Sequence, residues 1–261
     1  MKVSIITPSL NQCAFMRQTA ESILLQKGEF DLQWIVVDGG STDGTIEFLH
    51  DLADPRLVFS SEPDGGQSDA INKGLARADG EIIGWLNSDD LYLPGTLETV
   101  CRAFADNPDA LWLIGRCEII DADGNVIRRR ITRYKDRQLS RYSYRRLLRE
   151  NFVSQPAVFW RRDFGERIGK LDESLHFTMD YDLWCRMGRA DEPLILPGVL
   201  SRFRLHTSSK SGAVNRRQFD EGLEVAERYL GGDRLSWLIH RFNVEKIVWS
   251  YRAMKLLKFD P

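Results

Sequence analysis

Residues 84–93, which read GWLNSDDLYL, contain two adjacent carboxylates directly after a short apolar run. The run at residues 82–86 has the composition of a buried strand, so Asp89 and Asp90 would stand at its carboxyl end. Neighbouring carboxylates repel each other, and their burial is costly without a counter-charge. A divalent cation at the edge of an α/β sheet would supply that charge. A turn without a ligand is the alternative interpretation, since Asp and Asn favour turns in any protein.

Other polar residues follow apolar runs in the same manner. Asp38 follows residues 34–37, and a carboxylate at the end of a strand can accept a hydrogen bond from a base N–H or a ribose hydroxyl. Gly65 and Gly66 would let a ligand approach the backbone closely. The first turns of the next helix, where N–H groups favour anions, carry Asp69, Asn72 and Lys73. An Asx turn at Asp38 and a capped helix with a solvated face are the alternatives.

The elements that would position these residues alternate between strand and helix. We expect strands at residues 3–7, 34–37, 57–59 and 81–86, and helices at residues 14–25, 42–53 and 67–77. The strands are apolar throughout, which is typical of a parallel sheet covered on both faces. The sequence therefore predicts an α/β fold with a single Rossmann-like, mostly parallel sheet flanked by helices. A ligand crevice is expected along one edge of that sheet.

The second half of the chain is less regular. We expect a helix at residues 94–105, a hairpin formed by residues 110–120 and 125–131, a strand at 155–160, a helix at 179–189 and an extended segment at 194–203. Two helices separated by Gly231 and Gly232 are expected within residues 215–258.

The composition excludes several classes of protein. A chain of 261 residues with 43% hydrophobic and 28% charged residues is typical of a globular protein, and its net charge of -2 does not favour nucleic-acid binding. No apolar run approaches the roughly 18 residues of a spanning helix, and the N-terminus lacks the pattern of a signal peptide. The cysteines at positions 13, 101, 117 and 185 form no CxxC pair. Reduced thiols in the cytoplasm are therefore expected.

Six short segments resemble motifs of one enzyme family in their order, composition and spacing. They are TPSLN at 7–11, DGGSTDGT at 38–45, EPDGGQSDAINKG at 62–74, NSDD at 87–90, MDYDLW at 179–184 and RLHTSSKS at 204–211. The ordered set resembles glycosyltransferase family 2, whose members use nucleotide sugars and have the GT-A fold. The resemblance implies a GT-A domain over 1–212, with a nucleotide-binding half at 1–92 and an acceptor-binding half at 93–212. A C-terminal helical extension would cover 213–261.

The resemblance also implies a site for a nucleoside diphosphate sugar, with UDP as the expected nucleotide. Asp38 would bind the base in a pocket that Thr7, Pro8 and Ser9 line. The other residues expected to bind the nucleotide or the donor sugar are Asn11, Asp64, Asp69, Asn72, Lys73, Asn87, Ser88, Asp89, Arg204 and Lys210.

The NSDD segment resembles the DxD-like metal motif of the family. By this resemblance Asp90 would bind Mn²⁺ or Mg²⁺, while Asp89 would serve the ribose or the metal and its water. His206 would be the third metal ligand. Hard oxygen ligands suit both ions, and an imidazole ligand favours Mn²⁺.

The segment MDYDLW resembles the ED-x-D-L segment of the family, which places the general base at Asp180. Met179 departs from the pattern, because an acid is common there. One base and no nucleophile imply a single displacement with inversion. Gln155 and Trp184 would lie on the acceptor side. The QxxRW motif of the processive synthases is absent, so transfer of one sugar at a time is expected.

Two basic segments remain. Residues 128–149 hold ten Arg or Lys residues and one acid, Asp136, and residues 234–258 combine aromatic residues with six basic residues and one acid. These segments would bind an anionic acceptor, such as a lipid-linked diphosphate sugar, or an anionic membrane surface. A solvated face, packing on the core and contact with a second subunit are the alternatives. We therefore expect an enzyme of cell-surface polysaccharide or lipopolysaccharide synthesis, in the cytoplasm or at the inner face of the membrane.

The sequence leaves three alternative functions to compare. A sugar-phosphate nucleotidyltransferase usually has a Gly- and Arg/Lys-rich phosphate loop after its first strand, and TPSLNQ lacks one. A dinucleotide oxidoreductase would need a GxGxxG motif at the same place. A non-catalytic nucleotide- or glycan-binding protein on the same fold is the alternative from a different class. The joint presence of Asp38, Asp89, Asp90 and Asp180 favours an enzyme.

Overall fold

The computed structural model describes residues 1–207 and 216–256 of the chain, and these residues form one mixed sheet of nine strands flanked by helices. The strands are β1 (Lys2–Ser9), β2 (Asp31–Asp38), β3 (Leu57–Ser61), β4 (Ile82–Trp85), β5 (Leu91–Tyr92), β6 (Trp112–Ile120), β7 (Val126–Ile127), β8 (Val158–Arg161) and β9 (Leu194–Arg204). Their order is β3-β2-β1-β4-β8-β6-β9-β5, and β7 pairs with β6.

The helices are α1 (Cys13–Leu24), α2 (Thr45–Leu52), α3 (Gln67–Leu75), α4 (Thr96–Asp106), α5 (Arg129–Leu139), α6 (Tyr144–Arg149), α7 (Arg162–Ile168), α8 (Met179–Ala190), α9 (Arg216–Leu230) and α10 (Arg234–Leu256). A short 3₁₀ turn at Gln155–Ala157 precedes β8.

Most strands of the sheet run in one direction. Strands β1 to β4 are mutually parallel, and β6 and β9 run the same way because β8 is antiparallel to both of its neighbours. The carboxyl ends of β1, β4 and β9 therefore meet at one edge of the sheet. The polar segments that follow these strands are brought together there, as the α/β prediction requires.

Strand β4 lies in the middle of the sheet and is buried along its whole length. A Cβ atom on Gly84 would lie 2.7 Å from a ring carbon of Phe159 and 2.8 Å from both the Ile5 side chain and the Tyr92 hydroxyl. Only glycine lets these three neighbours approach so closely. The close packing holds β4, and with it the acidic turn that follows, at the centre of the edge.

The predicted α/β class is confirmed, and the first four strands and three helices lie where the sequence places them, within a few residues. The hairpin also forms, but β7 is only two residues long. Arg128 takes a left-handed conformation with φ of 50°, which ends the strand. The strand prediction for residues 128–131 was wrong, since the basic segment forms α5 and α6 instead.

The C-terminal helices pack on the rest of the protein. Gly231 and Gly232, with φ of 55° and 87°, form the turn between α9 and α10. Helix α9 contacts α8, and α10 contacts both α9 and α6. Within the described parts of the chain, no helix combines the length and apolar character needed to cross a membrane.

Candidate active site

A cleft of about 450 Å³ opens at the carboxyl edge of the sheet. Its walls come from the ends of β1 and β4, the start of α3, the 3₁₀ turn before β8 and the first turn of α8. The residues that line it are Pro8, Ser9, Leu10, Gln12, Asp64, Gly66, Gln67, Ala70, Trp85, Asn87, Ser88, Asp89, Gln155, His176, Phe177, Met179, Asp180, Phe203 and Gln218.

The two carboxylates of the acidic turn point in different directions. Asp89 lines the cleft, and its Oδ2 lies 3.0 Å from Nε2 of His206. Asp90 is fully buried, and its oxygens accept hydrogen bonds from the backbone N–H of Arg204 (2.8 Å) and from Nδ2 of Asn87 (3.2 Å). Burial, and then the nearby charge of Asp89, raise the pKa of Asp90 well above its usual range. The cleft therefore receives Asp89, while Asp90 belongs to the interior.

Arg204 lies behind the acidic turn, fully buried, and does not line the cleft. Its Nε donates to the carbonyl oxygen of Asp89 (2.8 Å), one terminal nitrogen donates to the carbonyl oxygen of Ala122 (2.7 Å), and the other to Gln18 (2.6 Å). Burial lowers the pKa of Arg204, and the carboxylates of Asp89 and Asp90 oppose that effect. Its observed contacts hold the turn in place, whereas the sequence had assigned Arg204 to the donor.

The pair of Asp89 and His206 has the chemistry of a partial cation site. A carboxylate oxygen and an imidazole nitrogen are ligands that Mn²⁺ accepts, and they are already adjacent. Among the described residues no group of three or more His, Cys, Asp or Glu side chains is close enough to hold a metal. The residues therefore fit a cation that takes its remaining ligands from a bound diphosphate and water.

Asn87 connects the acidic turn to the opposite wall of the cleft. Its Nδ2 donates to Asp90 and to Oε1 of Gln155, both at 3.2 Å, and its Oδ1 accepts from Trp85 Nε1 (2.8 Å) and Gln67 Nε2 (2.9 Å). Gln155 also donates to the carbonyl oxygen of Trp85. The amide network fixes the floor of the cleft, and Gln67 is a member that the sequence placed in the EPDGGQSDAINKG segment without a role.

Asp180 stands in the first turn of α8 and lines the cleft. Burial raises the pKa of Asp180 to about 6, although a backbone hydrogen bond from Tyr181 and the charge of Lys135 act in the opposite direction. Asp182, two residues further on, points away and binds Arg186 (2.9 Å) and the hydroxyl of Tyr229 (2.6 Å). Asp180 is thus the carboxylate that α8 presents to the cleft.

Lys135 is the member of the basic segment that turns inward. Its Nζ donates to Oγ of Ser154 at 3.1 Å, next to Gln155 in the floor of the cleft. Burial lowers the pKa of Lys135, and the charge of Asp180 is among the groups that oppose this. A cation therefore stands near the base candidate, although the sequence indicated only an undivided basic run.

The residues expected to line the pocket for the nucleotide base do not all reach the cleft. Pro8 and Ser9 line the cleft, and the buried Oγ of Ser9 has no hydrogen-bond partner among the described residues. Thr7 lies in the core, where its Oγ1 accepts from Trp34 Nε1 at 3.0 Å. Asn11 accepts from the backbone N–H of Thr42 at 2.9 Å and so joins the loop after β1 to the loop after β2.

Asp38 is fully buried and does not line the cleft. Its Oδ2 accepts from the backbone N–H groups of Gly40 (3.0 Å) and Ser41 (2.8 Å) and from Oγ of Ser61 (2.7 Å). The Ser41 hydroxyl donates to Oδ1. These contacts shape the turn after β2, and the role of Asp38 toward a base stays a prediction.

Of the four residues around α3 that were expected to bind the donor, Asp64 alone lines the cleft. It lies close to Gly39, where a Cβ atom would approach Asp64 Oδ2 to 2.9 Å. The other three make internal contacts: Asp69 pairs with Lys73 at 3.1 Å, and Asn72 binds the backbone of Leu171 on both sides of its amide.

Two further expected residues do not appear in the cleft wall. Trp184 is fully buried and stacks on Trp112 with ring centroids 6.3 Å apart, so it belongs to the core. Lys210 lies outside the described residues.

Several residues that line the cleft were not predicted from the sequence. Gln12 and Trp85 lie outside the six motif segments, Gln67 lies within one but had no assigned role, and His176 and Phe177 stand just before Thr178 and the MDYDLW segment. Gln218 comes from α9, which the sequence assigned to a separate extension. The sequence could have indicated His176 and Phe177 as cleft residues because they lie close to a motif, whereas nothing in the sequence indicated Gln218.

Comparison with known proteins agrees with this geometry. The sequence profile described as Glycosyl transferase family 2 matches residues 4–167, more than half of the chain. An uncharacterized glycosyltransferase of Rickettsia typhi is 30% identical over 230 residues, covering 85% of this chain and 70% of the relative. One of Mycobacterium tuberculosis is 27% identical over 205 residues, covering 77% and 74%.

Solved structures share the fold. TarS 1–349 of S. aureus, determined in complex with UDP-GlcNAc, superposes with a TM-score of 0.70 at 19% identity, covering 89% of this chain and 68% of that chain. The mannosyltransferase PcManGT of Pyrobaculum calidifontis, determined with GDP-Man and Mn²⁺, gives a TM-score of 0.67 at 18% identity, covering 97% and 80%. With the profile match over the strands that build the cleft, these findings show that the chain belongs to glycosyl transferase family 2.

Proposed function

We propose that this glycosyltransferase moves a sugar from a nucleoside diphosphate, preferentially UDP, to a hydroxyl group of a glycan or lipid-linked acceptor by a single inverting displacement. The observation that carries the proposal is that one cleft presents both Asp89, paired with His206, and Asp180. The pair of Asp89 and His206 could bind a cation and its diphosphate, and Asp180 could act as a general base. A binding protein without catalysis would have no use for the second group.

In this proposal Asp89 and His206 hold the cation, and Asp90 does not. Asp90 is buried and its oxygens are occupied by Arg204 and Asn87, so its part is to fix the turn. When bound, Mn²⁺ or Mg²⁺ would neutralise the negative charge that grows on the nucleoside diphosphate leaving group. Ser9, whose buried hydroxyl lacks a partner among the described residues, is available to bind the nucleotide.

Asp180 would accept the proton of the acceptor hydroxyl as that oxygen attacks the anomeric carbon. A carboxylate is a weak base at its usual pKa, and the raised value of about 6 brings Asp180 closer to the working pH. Asp180 and Asp89 line the same cleft of about 450 Å³, which would receive the donor. Gln155, beside Asn87 in the floor, would contact the sugar or the acceptor.

The acceptor and the location extend the proposal further. The exposed arginines of α5 and α6 suit an anionic acceptor, such as a lipid-linked diphosphate sugar. We place the reaction in cell-surface polysaccharide or lipopolysaccharide synthesis at the inner face of the membrane. One sugar would be added at each turnover.

Replacement of Asp180 by Asn should lower kcat by roughly 10²- to 10⁴-fold, because the amide cannot accept the proton. UDP affinity should change little, since Asp89 and His206 remain. Turnover can be followed by release of UDP from a panel of UDP-sugars and affinity by calorimetry. Asp163→Asn, at a side chain that is 86% exposed on α7, is the matched control and should behave as wild type. A variant at Asp180 that keeps more than about a tenth of the activity would refute the base assignment.

The rate should depend on pH through the same carboxyl group. Asp180 acts when deprotonated, so kcat/KM should fall as the pH drops through about 6 and level off above it. The measurement is the initial rate from acidic to neutral pH at a fixed Mn²⁺ concentration. An acid limb that persists unchanged in the residual activity of Asp180→Asn would assign the titration to another group.

The metal assignment can be separated from the fold by comparing the two neighbouring carboxylates. Asp89→Asn should abolish the increase in melting temperature that Mn²⁺ adds to UDP binding, because the cation loses its carboxylate ligand. Asp90→Asn should lower the melting temperature of the free protein but preserve the Mn²⁺-dependent increase. Thermal-shift assays with UDP, with and without Mn²⁺ or EDTA, make the comparison. If Asp90→Asn loses the Mn²⁺-dependent increase in melting temperature and Asp89→Asn keeps it, Asp90 is the metal ligand.

A further inference from the structure

Helix α10 carries an exposed apolar stripe, defined here as Leu235, Leu238, Phe242 and Trp249. Their side chains are 58%, 56%, 69% and 66% exposed, which is unusual for four large apolar residues on one helix. At about 100° per residue, the four positions fall within an arc of roughly 60° on the helix. They lie along one side of the helix, with about two turns between Phe242 and Trp249.

The stripe faces away from the protein. Ser236, His240, Val244 and Val248 are the buried positions of α10, and they lie on the opposite side of the helix. Nδ1 of His240 donates to the carbonyl oxygen of Leu148 on α6 (2.8 Å) and so ties that side to the body of the enzyme. The stripe is therefore not required for the packing of α10 on its neighbours.

Basic residues flank the stripe. Arg234, Arg241 and Lys246 are exposed on α10, and the acid between them, Glu245, binds Arg216 of α9 at 2.8 Å. Arg145 and Arg149 of the adjoining helix α6 bind Asp233 at 2.8 Å and Ser236 at 2.9 Å, so they tie the start of α10 to the body of the enzyme and do not border the stripe. An apolar line bordered by cations complements a surface that is apolar inside and anionic at its boundary.

We propose that the stripe docks on an anionic lipid surface, with α10 lying in the plane of the interface. Apolar side chains would enter the boundary between headgroups and acyl chains while the flanking cations contact lipid phosphates. A second copy of the chain is a poorer occupant, because a two-fold contact along the stripe would bring like charges of the two α10 helices together. The proposal does not depend on the catalytic assignment, since it concerns a surface outside the cleft.

The test is co-sedimentation of the full chain with vesicles of phosphatidylcholine, with and without phosphatidylglycerol. Wild type should bind the anionic vesicles, and added salt should weaken binding. The affinity of the double variant Leu238→Glu/Phe242→Glu for these vesicles should fall by a factor of about ten or more, because two apolar side chains no longer enter the bilayer. Leu25→Glu, at a leucine that is 72% exposed at the end of α1, is the matched control and should bind as wild type.

Light scattering on the same proteins gives the competing result. A wild-type dimer that the double variant dissociates, together with no vesicle binding, would make the stripe a contact between copies and overturn the proposal. Equal binding to both vesicle compositions, or equal loss in Leu25→Glu, would overturn it as well.

An independent observation concerns Glu221 on α9, whose carboxylate receives four hydrogen bonds from the turn before α8. Its Oε1 accepts from the backbone N–H groups of Phe177 and Thr178 and from the Thr178 hydroxyl, each at 2.8 Å, and its Oε2 accepts from the N–H of His176 at 3.1 Å. Burial alone would raise the pKa of Glu221, but these bonds outweigh it and lower the pKa. The carboxylate thus stays charged at the start of α8.

The geometry points to Glu221 as a positioning residue for Asp180, an inference that rests on the proposed role of Asp180. The first N–H groups of a helix need an outside acceptor, and the N-cap residue Thr178 supplies no side-chain acceptor within the described structure. Glu221, from another helix, accepts from the N–H of Thr178 itself and from the two N–H groups before it, and so fixes the turn that leads into the proposed base. Gln218, one turn earlier on α9, lines the cleft beside it.

Replacement of Glu221 by Gln leaves one acceptor oxygen and removes the other, so the amides at 176–178 should exchange hydrogen faster. We expect kcat to fall roughly tenfold or more, since small misplacement of a base is costly, with UDP affinity unchanged. The acid limb of the pH profile should move to lower pH, because the charge of Glu221 helps to raise the pKa of Asp180. Glu224→Gln, an exposed position on the same helix, is the control.

Faster exchange without a change in kcat or in the acid limb would reduce Glu221 to a structural cap and overturn the inference. Unchanged exchange would overturn it too. A wild-type protein with no turnover on any nucleotide sugar, but with the expected exchange difference, would count against the proposed function instead.

Discussion

A buried guanidinium holds the candidate site together. Burial of Arg204 would be costly if its N–H groups lacked acceptors, and carbonyl oxygens of the acidic turn and of the hairpin loop, with Gln18, provide them. The backbone N–H of the same residue binds Asp90, which is drawn into the interior. With one carboxylate of the adjacent pair inward, the other extends into the cleft toward His206. The different orientations of the Asp89 and Asp90 side chains follow from the contacts of Arg204.

The remaining walls are joined to that turn through neutral amides. Asn87 bridges the turn to Gln155, and Gln155 binds the backbone at the end of β4. Three carboxylates line the cleft within the described residues, and Asp89 and Asp180 are the two that the proposed reaction uses, with Asp64 as the third. Lys135 adds a positive charge near Asp180. Burial, opposed by the backbone hydrogen bond of Tyr181 and by that charge, raises the pKa of Asp180 to about 6.

The C-terminal helices join this arrangement and do not form a detached appendage. Helix α9 supplies Glu221 to the turn before α8 and Gln218 to the cleft, while α10 presents its apolar stripe to the outside. The family profile matches residues 4–167, so these contributions lie beyond the matched segment. Helices α9 and α10 thus connect the segment that carries Asp180, the proposed general base, to the surface proposed to dock on lipid.

By itself the sequence determined the alternation of strands and helices in the first half, the position of the acidic turn after β4 and the choice of Asp180 on α8, because local periodicity and ordered motifs encode these features. The resemblance assigned the metal to Asp90, but two adjacent carboxylates of one motif do not show which of them faces the cleft. Tertiary packing decided that, along with the interior place of Arg204 and Trp184 and the inward turn of Lys135. The contact of Glu221 with residues 176–178 spans more than forty positions of the chain and is visible only once α9 is folded against α8.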